Sequence, residues 1–220
     1  MTRKNGPFIV IDGADGVGKT TQVALLVRAL RDEGHEVAEF DFPRYEKSEA
    51  GKLLRRALRG EFEDFLRMSP YLSSWLYTLD RVAAKDEILE AMWAGRVVVS
   101  NRYTPSNIAY QAAKLQDEEK DAFVELIEKM EYEELKLPKP TLVIYLSLPE
   151  AVSHRLMEER GWRKDQHESN MAYQMKVNSV YRRLTTTRDD WCMVECAPYG
   201  MILSREEIHK MVLSLVQGVL

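Results

Sequence analysis

A chain of 220 residues is long enough for one sizeable α/β domain, 1–220, with room for one mobile excursion, and 45% hydrophobic with 30% charged content is ordinary for a globular protein. The formal net charge of −4 argues against general nucleic-acid binding, which shows a basic surplus. No apolar run approaches the roughly 18 residues of a membrane span, and the first six residues lead straight into a strand, so neither a membrane partner nor a signal peptide is expected and the cytoplasm is the default location.

Taken in order, Phe8-Ile9-Val10-Ile11 is a short apolar, β-branched run that reads as a buried strand. Residues 20–33 carry Val23, Leu26, Val27 and Leu30 at a helical period. Further strand-like runs cover 37–42, 97–100, 142–146 and 191–194. Helical patterns cover 50–60, 70–94, 105–115, 117–135, 149–159, 168–188 and 204–218. Ser69-Pro70 predicts a capped start for the long third helix, and Gly95 its end. This alternation predicts a parallel sheet covered on both faces, whose ligands collect at the carboxyl ends of the strands. Cys192 and Cys196 have no second pair and no nearby His cluster; a zinc site wants four ligands, so a buried strand is the simpler expectation.

Between the first strand and first helix lies Gly13-Ala14-Asp15-Gly16-Val17-Gly18-Lys19-Thr20. Two glycines five apart, then Lys and Thr, fit the phosphate-binding loop. Such a turn aims backbone N–H groups and the positive end of a helix dipole at one point. Lys19 would reach the β- and γ-phosphates of a nucleotide, and the Thr20 hydroxyl would ligate Mg²⁺. Arginines recur at the other strand ends, in Asp41-Phe42-Pro43-Arg44-Tyr45 and Ser100-Asn101-Arg102-Tyr103, and within Tyr77-Thr78-Leu79-Asp80-Arg81. The planar fork of Arg binds phosphate or a carbonyl edge at two points. Tyr77 and Arg81 share a helix face, as do Tyr103, Asn107 and Tyr110, although core packing would leave the same spacing in the aromatics.

The combination of Asp15–Gln22, Phe-Pro-Arg-Tyr at 42–45, Leu-Asp-Arg at 79–81, Asn-Arg-Tyr-x-x-Ser-Asn-x-x-Tyr at 101–110 and Leu-Pro-Lys-Pro at 137–140 resembles the thymidylate kinases, over nearly the whole chain. The resemblance, which extends to Asp-x-x-Glu at 165–168, implies a P-loop kinase fold with a five-stranded parallel sheet, helices on both faces and an arginine-bearing lid at about 155–168. It implies transfer of the ATP γ-phosphoryl to dTMP, with Mg²⁺ and a homodimer. ATP would be held by Gly13, Ala14, Asp15, Gly16, Val17, Gly18, Lys19, Thr20, Thr21 and Arg160, with Thr20 and Asp15 near the metal. Arg163 with Arg160 and Lys164 would close over the phosphates, and the loop 196–200 would lie beside adenine. Lys19, Asp15, Arg102 and Arg163 are the catalytic candidates. dTMP would meet Asp15, Phe42, Pro43, Arg44, Tyr45, Tyr77, Arg81, Arg102, Ser106, Asn107 and Tyr110. In that scheme Tyr77 stacks on the pyrimidine, Asn107 reads the base, Tyr110 lies against C2′, and Arg44 with Arg102 clamps the acceptor phosphate.

Two departures stand out. Many members carry Asp where this chain has Asn101, which puts the Mg²⁺ contact in doubt, and some carry Phe in place of Tyr77. A related kinase for another nucleotide or nucleoside and an inactive dimeric paralogue stay open as alternatives. A switch GTPase does not fit, because its Asn-Lys-x-Asp motif is missing from the sequence.

Overall fold

The structure is a computed structural model that describes residues 5–62, 65, 67–149, 152 and 171–220. Five strands, β1 Phe8–Asp12, β2 Val37–Asp41, β3 Val97–Asn101, β4 Leu142–Ser147 and β5 Trp191–Glu195, form one parallel sheet in the order β2-β3-β1-β4-β5. The expected α/β class and strand number are therefore observed. Eight α-helices are described: α1 Lys19–Asp32, α2 Glu49–Leu58, α3 Pro70–Val82, α4 Lys85–Trp93, α5 Thr104–Ala112, α6 Asp117–Glu128, α7 Met171–Thr187 and α8 Arg205–Gln217.

The two-residue alternation of β1 sorts the core into two layers. Ile9 and Ile11 face α1 and α8, meeting Val23, Leu26, Leu30, Ile208 and Val212. Phe8 and Val10 face the opposite layer, where Ile88, Ile108, Phe123, Val177 and Tyr181 pack. Both faces of β1 are fully buried, which is why it reads as a continuous apolar run. β1 has β3 on one side and β4 on the other, so the sheet changes direction of growth there, and the crevice beyond its carboxyl end is the natural ligand site.

Three local expectations change. The helix expected over 70–94 is two helices, α3 and α4, with Ala83 and Ala84 between them. Asp80 and Arg81 at the end of α3 are buried and bonded to other elements, while Ala84, Ile88 and Ala91 press onto the sheet layer, so tertiary packing overrides two good helix formers. Ser69 precedes Pro70 as expected, yet its side chain makes no capping hydrogen bond. The helix expected over 117–135 runs as α6 only to Glu128 and continues as a π-helical stretch, Lys129–Glu134. The expected lid at 155–168, with Arg160, Arg163 and Lys164, and most of the expected helix at 149–159 lie outside the described residues. No helix among the described residues is long and apolar enough to cross a membrane.

Candidate active site

A cavity of about 410 Å³ opens at the carboxyl ends of β1, β2 and β3, within the range of small-ligand sites. Of the predicted residues, Asp15, Gly16, Gly18, Lys19, Thr20, Thr21, Phe42, Pro43, Tyr45, Tyr77, Arg81, Arg102, Ser106, Asn107 and Tyr110 line it. Gly13, Ala14 and Val17 belong to the same loop without lining the cavity, and neither does the half-buried Arg44.

The glycine loop is shaped by backbone demands. At Gly13, φ is +146°, and a Cβ would stand 2.7 Å from the Leu146 carbonyl oxygen, so only glycine fits. Gly18 caps α1 in the left-handed region, at φ 95°, and supplies no side chain to bond the first N–H groups. The first turn of α1 carries no acidic residue, which leaves its N–H groups and dipole to an anion. Lys19 Nζ donates to the Gly13 carbonyl at 3.0 Å and the Ala14 carbonyl at 2.7 Å, and lies 3.7 Å from Asp15 Oδ1.

Across the cavity, Arg102 follows β3 with φ 63°, an unusual conformation for a non-glycine residue and one that clusters at functional sites. Its N–H donates to the Ile11 carbonyl at 3.0 Å, which ties the strained turn to β1. The guanidinium forms an ion pair with Asp15 and donates to Ser106 Oγ at 3.1 Å. It also lies 5.3 Å from the Tyr110 ring centroid. The Tyr110 hydroxyl donates to Asp15 Oδ2 at 2.7 Å. Asp15 thus joins the glycine loop to the opposite wall. Burial opposes the charge on Arg102, but Asp15 and the surrounding phenols and carboxylates hold its pKa well above the usual range. Burial, then the Asp15 charge, pushes the Tyr110 phenol up, so it stays a donor.

Behind this wall the buried Asp12 Oδ1 accepts from Gly13 N at 2.8 Å, Ser106 Oγ at 2.6 Å and Tyr181 OH at 2.7 Å. Tyr181 stacks on Tyr145, with centroids 4.7 Å apart. This lattice fixes the loop, β1 and α5 relative to one another.

The deeper end is built by α3, α5 and the π-helical stretch. The half-buried Tyr77 lies tilted against Phe65, with centroids 6.0 Å apart, and also faces the cavity. Arg81 forms a buried ion pair with Glu131. Asn107 Nδ2 donates to the Ser74 carbonyl at 3.3 Å and to Glu131 at 3.2 Å, while its Oδ1 is buried with no hydrogen-bond partner. Gln111 accepts from Ser73 Oγ at 2.5 Å, and its Nε2 is likewise buried with no partner. Arg44 is turned away: its N–H donates to Asp80 Oδ2 at 2.7 Å, and its guanidinium meets the Glu87 carboxylate at 2.9 and 3.1 Å. The second arginine of the expected phosphate clamp therefore sits on Glu87 here, and Arg102 alone of the two lines the cavity.

At the strand ends Asp41 pairs in register with Asn101, and both line the cavity with Thr20 and Lys19. Burial raises the Asp41 pKa above the usual carboxylate range against the opposing pull of Arg102, the Asn101 amide and Lys19. Asn101 Oδ1 is buried with no hydrogen-bond partner. Asp15, expected near the metal, has its carboxylate engaged by Arg102 and Tyr110, while Asp41 opens to the cavity. The loop 196–200 contributes nothing to this cavity; Tyr199 is 98% exposed there. Cys192 and Cys196 are free, and burial pushes the Cys196 thiol up to about 12.

Four participants had no role assigned from the sequence, namely Asp12, Asp80, Gln111 and Glu131, although Asp80 stands within the Leu-Asp-Arg motif at 79–81. Gln111 follows Asn107 by one helical turn and was within reach of that argument. Glu131 was one acid among many in an unbroken charged helical pattern, and nothing local marks it as the buried one.

The family model for thymidylate kinase matches residues 11–208. The chain is 34% identical over 182 residues to the thymidylate kinase of Mycobacterium tuberculosis, covering 80% of this chain and 85% of that one. It is 34% identical over 214 residues to a probable thymidylate kinase of Pyrococcus horikoshii, covering 96% of each. The solved thymidylate kinase of Candida albicans superposes with a TM-score of 0.74 at 22% identity, over 97% of this chain and 92% of that one, which shows the shared fold. Sequence match over nearly the full length and an alike fold lead to one conclusion: the chain belongs to the thymidylate kinase family.

Proposed function

We propose that this protein transfers the γ-phosphoryl of ATP to dTMP, giving dTDP and ADP. The observation that carries the reading is the set of polar atoms at the deep end of the cavity. Asn107 Oδ1 is an unpartnered acceptor, Gln111 Nε2 is an unpartnered donor, and the Arg81 guanidinium directs Nε and Nη2 to Glu131 and Thr78. Donors on both Gln111 and Arg81 with an acceptor on Asn107 suit a thymine or uracil edge, which offers two carbonyls and one N3–H. Buried polar groups left unpaired cost about 1–3 kcal/mol each, so a base that satisfies them is strongly preferred.

The reaction needs little chemistry from the protein, because the acceptor is already an oxyanion; positioning and charge stabilisation dominate phosphoryl transfer. The glycine loop and Lys19 hold the donor phosphates. Arg102, fixed by Asp15 and Ser106, holds the acceptor phosphate in line and screens its repulsion. Tyr77 faces the pyrimidine, and Tyr110 occupies the space beside C2′. A ribose hydroxyl would meet the Tyr110 ring there. Thr20, Asp41 and Asn101 Oδ1 form a hard-oxygen set that fits Mg²⁺ and its water shell, and Asp41 offers a carboxylate at the strand end next to Asn101. Bound there, the metal supplies charge neutralisation for the donor phosphates. A coupled ADP-release assay across dTMP, dUMP, dCMP, dGMP, UMP and thymidine tests the reading. It fails if dTMP is not among the best acceptors.

The same proposal includes a homodimer. Leu54 and Leu58 of α2 pack inward, whereas Leu72, Trp75 and Leu79 of α3 are 66%, 45% and 50% exposed on one helix face. A face of that kind on a metabolic enzyme is a natural two-fold contact. Light scattering at micromolar concentration checks it, and a monomer mass refutes it.

A further inference from the structure

One buried carboxylate touches every base-reading group of the cavity except Gln111, yet lies behind them. Glu131 sits in the π-helical stretch Lys129–Glu134, a kind of turn that recurs at functional sites, and is fully buried. It accepts five hydrogen bonds: from Arg81 Nε at 2.9 Å, from Arg81 Nη2, from Thr78 Oγ1 at 2.7 Å, from Thr104 Oγ1 at 2.6 Å and from Asn107 Nδ2 at 3.2 Å. Those donors come from α3 and α5, so a single side chain ties together both walls of the deep cavity. Burial by itself would raise Glu131, but Arg81 and the hydroxyl donors outweigh it and hold the carboxyl below the usual range; it is charged at neutral pH.

The consequence is a fixed polarity. With Nε and Nη2 of Arg81 drawn to Glu131, Nη1 is the remaining edge of a guanidinium that lines the cavity. With Nδ2 of Asn107 drawn to Glu131 and the Ser74 carbonyl, only Oδ1 is left, and an amide held this way cannot turn over to offer its NH₂. A carboxylate has no proton to give, so it enforces this arrangement where a neutral amide would not. We propose that Glu131 is a positioning residue that sets the donor–acceptor polarity of the base site, and thereby the choice of a 4-keto over a 4-amino pyrimidine. Thymine and uracil present a carbonyl and an N3–H to Arg81 and Asn107. Cytosine presents an amino group and a bare N3, which reverses both contacts. This inference rests on the reading of dTMP as acceptor.

The test compares wild type, Glu131→Gln and Glu131→Asp for dTMP and dCMP binding by calorimetry, together with KM for dTMP and for ATP. Glu131→Gln leaves Arg81 charged and buried without its counterion, and its amide can donate to Asn107 Oδ1. It should raise KM for dTMP about tenfold or more, leave KM for ATP within about threefold, and shrink the dTMP-over-dCMP preference at least about fivefold. Glu131→Asp keeps the charge and should recover part of that preference. A folded Glu131→Gln with the wild-type dTMP-to-dCMP ratio overturns the proposal, even if its melting temperature falls. Should Glu131→Gln fail to fold, Glu131→Ala takes its place, and an unchanged ratio in it overturns the proposal equally. If wild type shows no preference for dTMP over dCMP, the acceptor assignment itself fails; a preference kept in full once the charge is removed takes away the role of Glu131 alone.

Discussion

At the glycine loop, Gly16, Gly18, Lys19, Thr20 and Thr21 line the cavity, all from one stretch of neighbouring residues. The acceptor end instead draws Asp15, Arg81, Arg102, Asn107 and Tyr110 from separate elements and locks them through Asp15 and Glu131. The first region is defined by backbone conformation, with Gly13 and Gly18 at positive φ, and needs few side chains. The second is a network of charged and polar side chains in which each member holds another. Such a network is more vulnerable to single substitutions, because removing one partner strands a buried charge. It also separates functions: damage at the loop should fall on ATP, and damage at the network on dTMP.

The largest expected effect is at Lys19. Lys19→Ala removes the cation that serves the donor phosphates and should cost on the order of 3 kcal/mol or more in kcat, with dTMP binding largely intact. Near-normal turnover would dissolve the contrast between the two ends. Next comes Arg102→Ala, which strips the acceptor phosphate of its partner and leaves Asp15 without its ion pair. A loss of roughly 1.5–3 kcal/mol in kcat/KM for dTMP is expected, with ATP affinity little changed. If titration puts the loss on ATP instead, the ends have been assigned backwards.

Tyr110 sharpens the comparison within the acceptor end. If its ring fills the space beside C2′, a ribonucleotide meets a clash and a buried unpaired hydroxyl, a penalty of about 1–3 kcal/mol. Tyr110→Phe removes the bond to Asp15 but keeps the ring, and should preserve the preference for deoxyribose; Tyr110→Ala should relax it. Ribo-TMP and dTMP kinetics with both variants decide, and an unchanged preference in Tyr110→Ala removes Tyr110 from the sugar site. The smallest effect concerns pH. The folded pKa of Glu131 lies below its unfolded value, so its stabilisation is complete above the usual carboxylate range and fades as pH falls through the folded value. Urea unfolding across the acid range should show this slope in wild type and a flatter one in Glu131→Gln. Equal slopes would mean that the pair does not couple folding to protons.

The amino-acid sequence by itself determined the strand order of appearance along the chain, the α/β class and the glycine loop, because each depends on neighbours a few residues apart. Periodicity reports which face is buried, and the loop's backbone geometry is written in the spacing of its glycines. It also pointed to Arg102 just after β3 and to Asn107 and Tyr110, whose helical spacing survives in α5. What only the tertiary structure decided is where long polar side chains spend their hydrogen bonds. Arg44 and Arg81 both lie near an aromatic in sequence, Arg44 next to Tyr45 and Arg81 four residues after Tyr77; one turns to Glu87 and the other is held by Glu131 at the cavity. The break between α3 and α4 falls at two alanines, where local propensity favours continuation and burial against the sheet layer prevails. Glu131 meets its partners across 24 to 53 positions of chain, a separation at which local pattern carries no signal and only packing brings charges together.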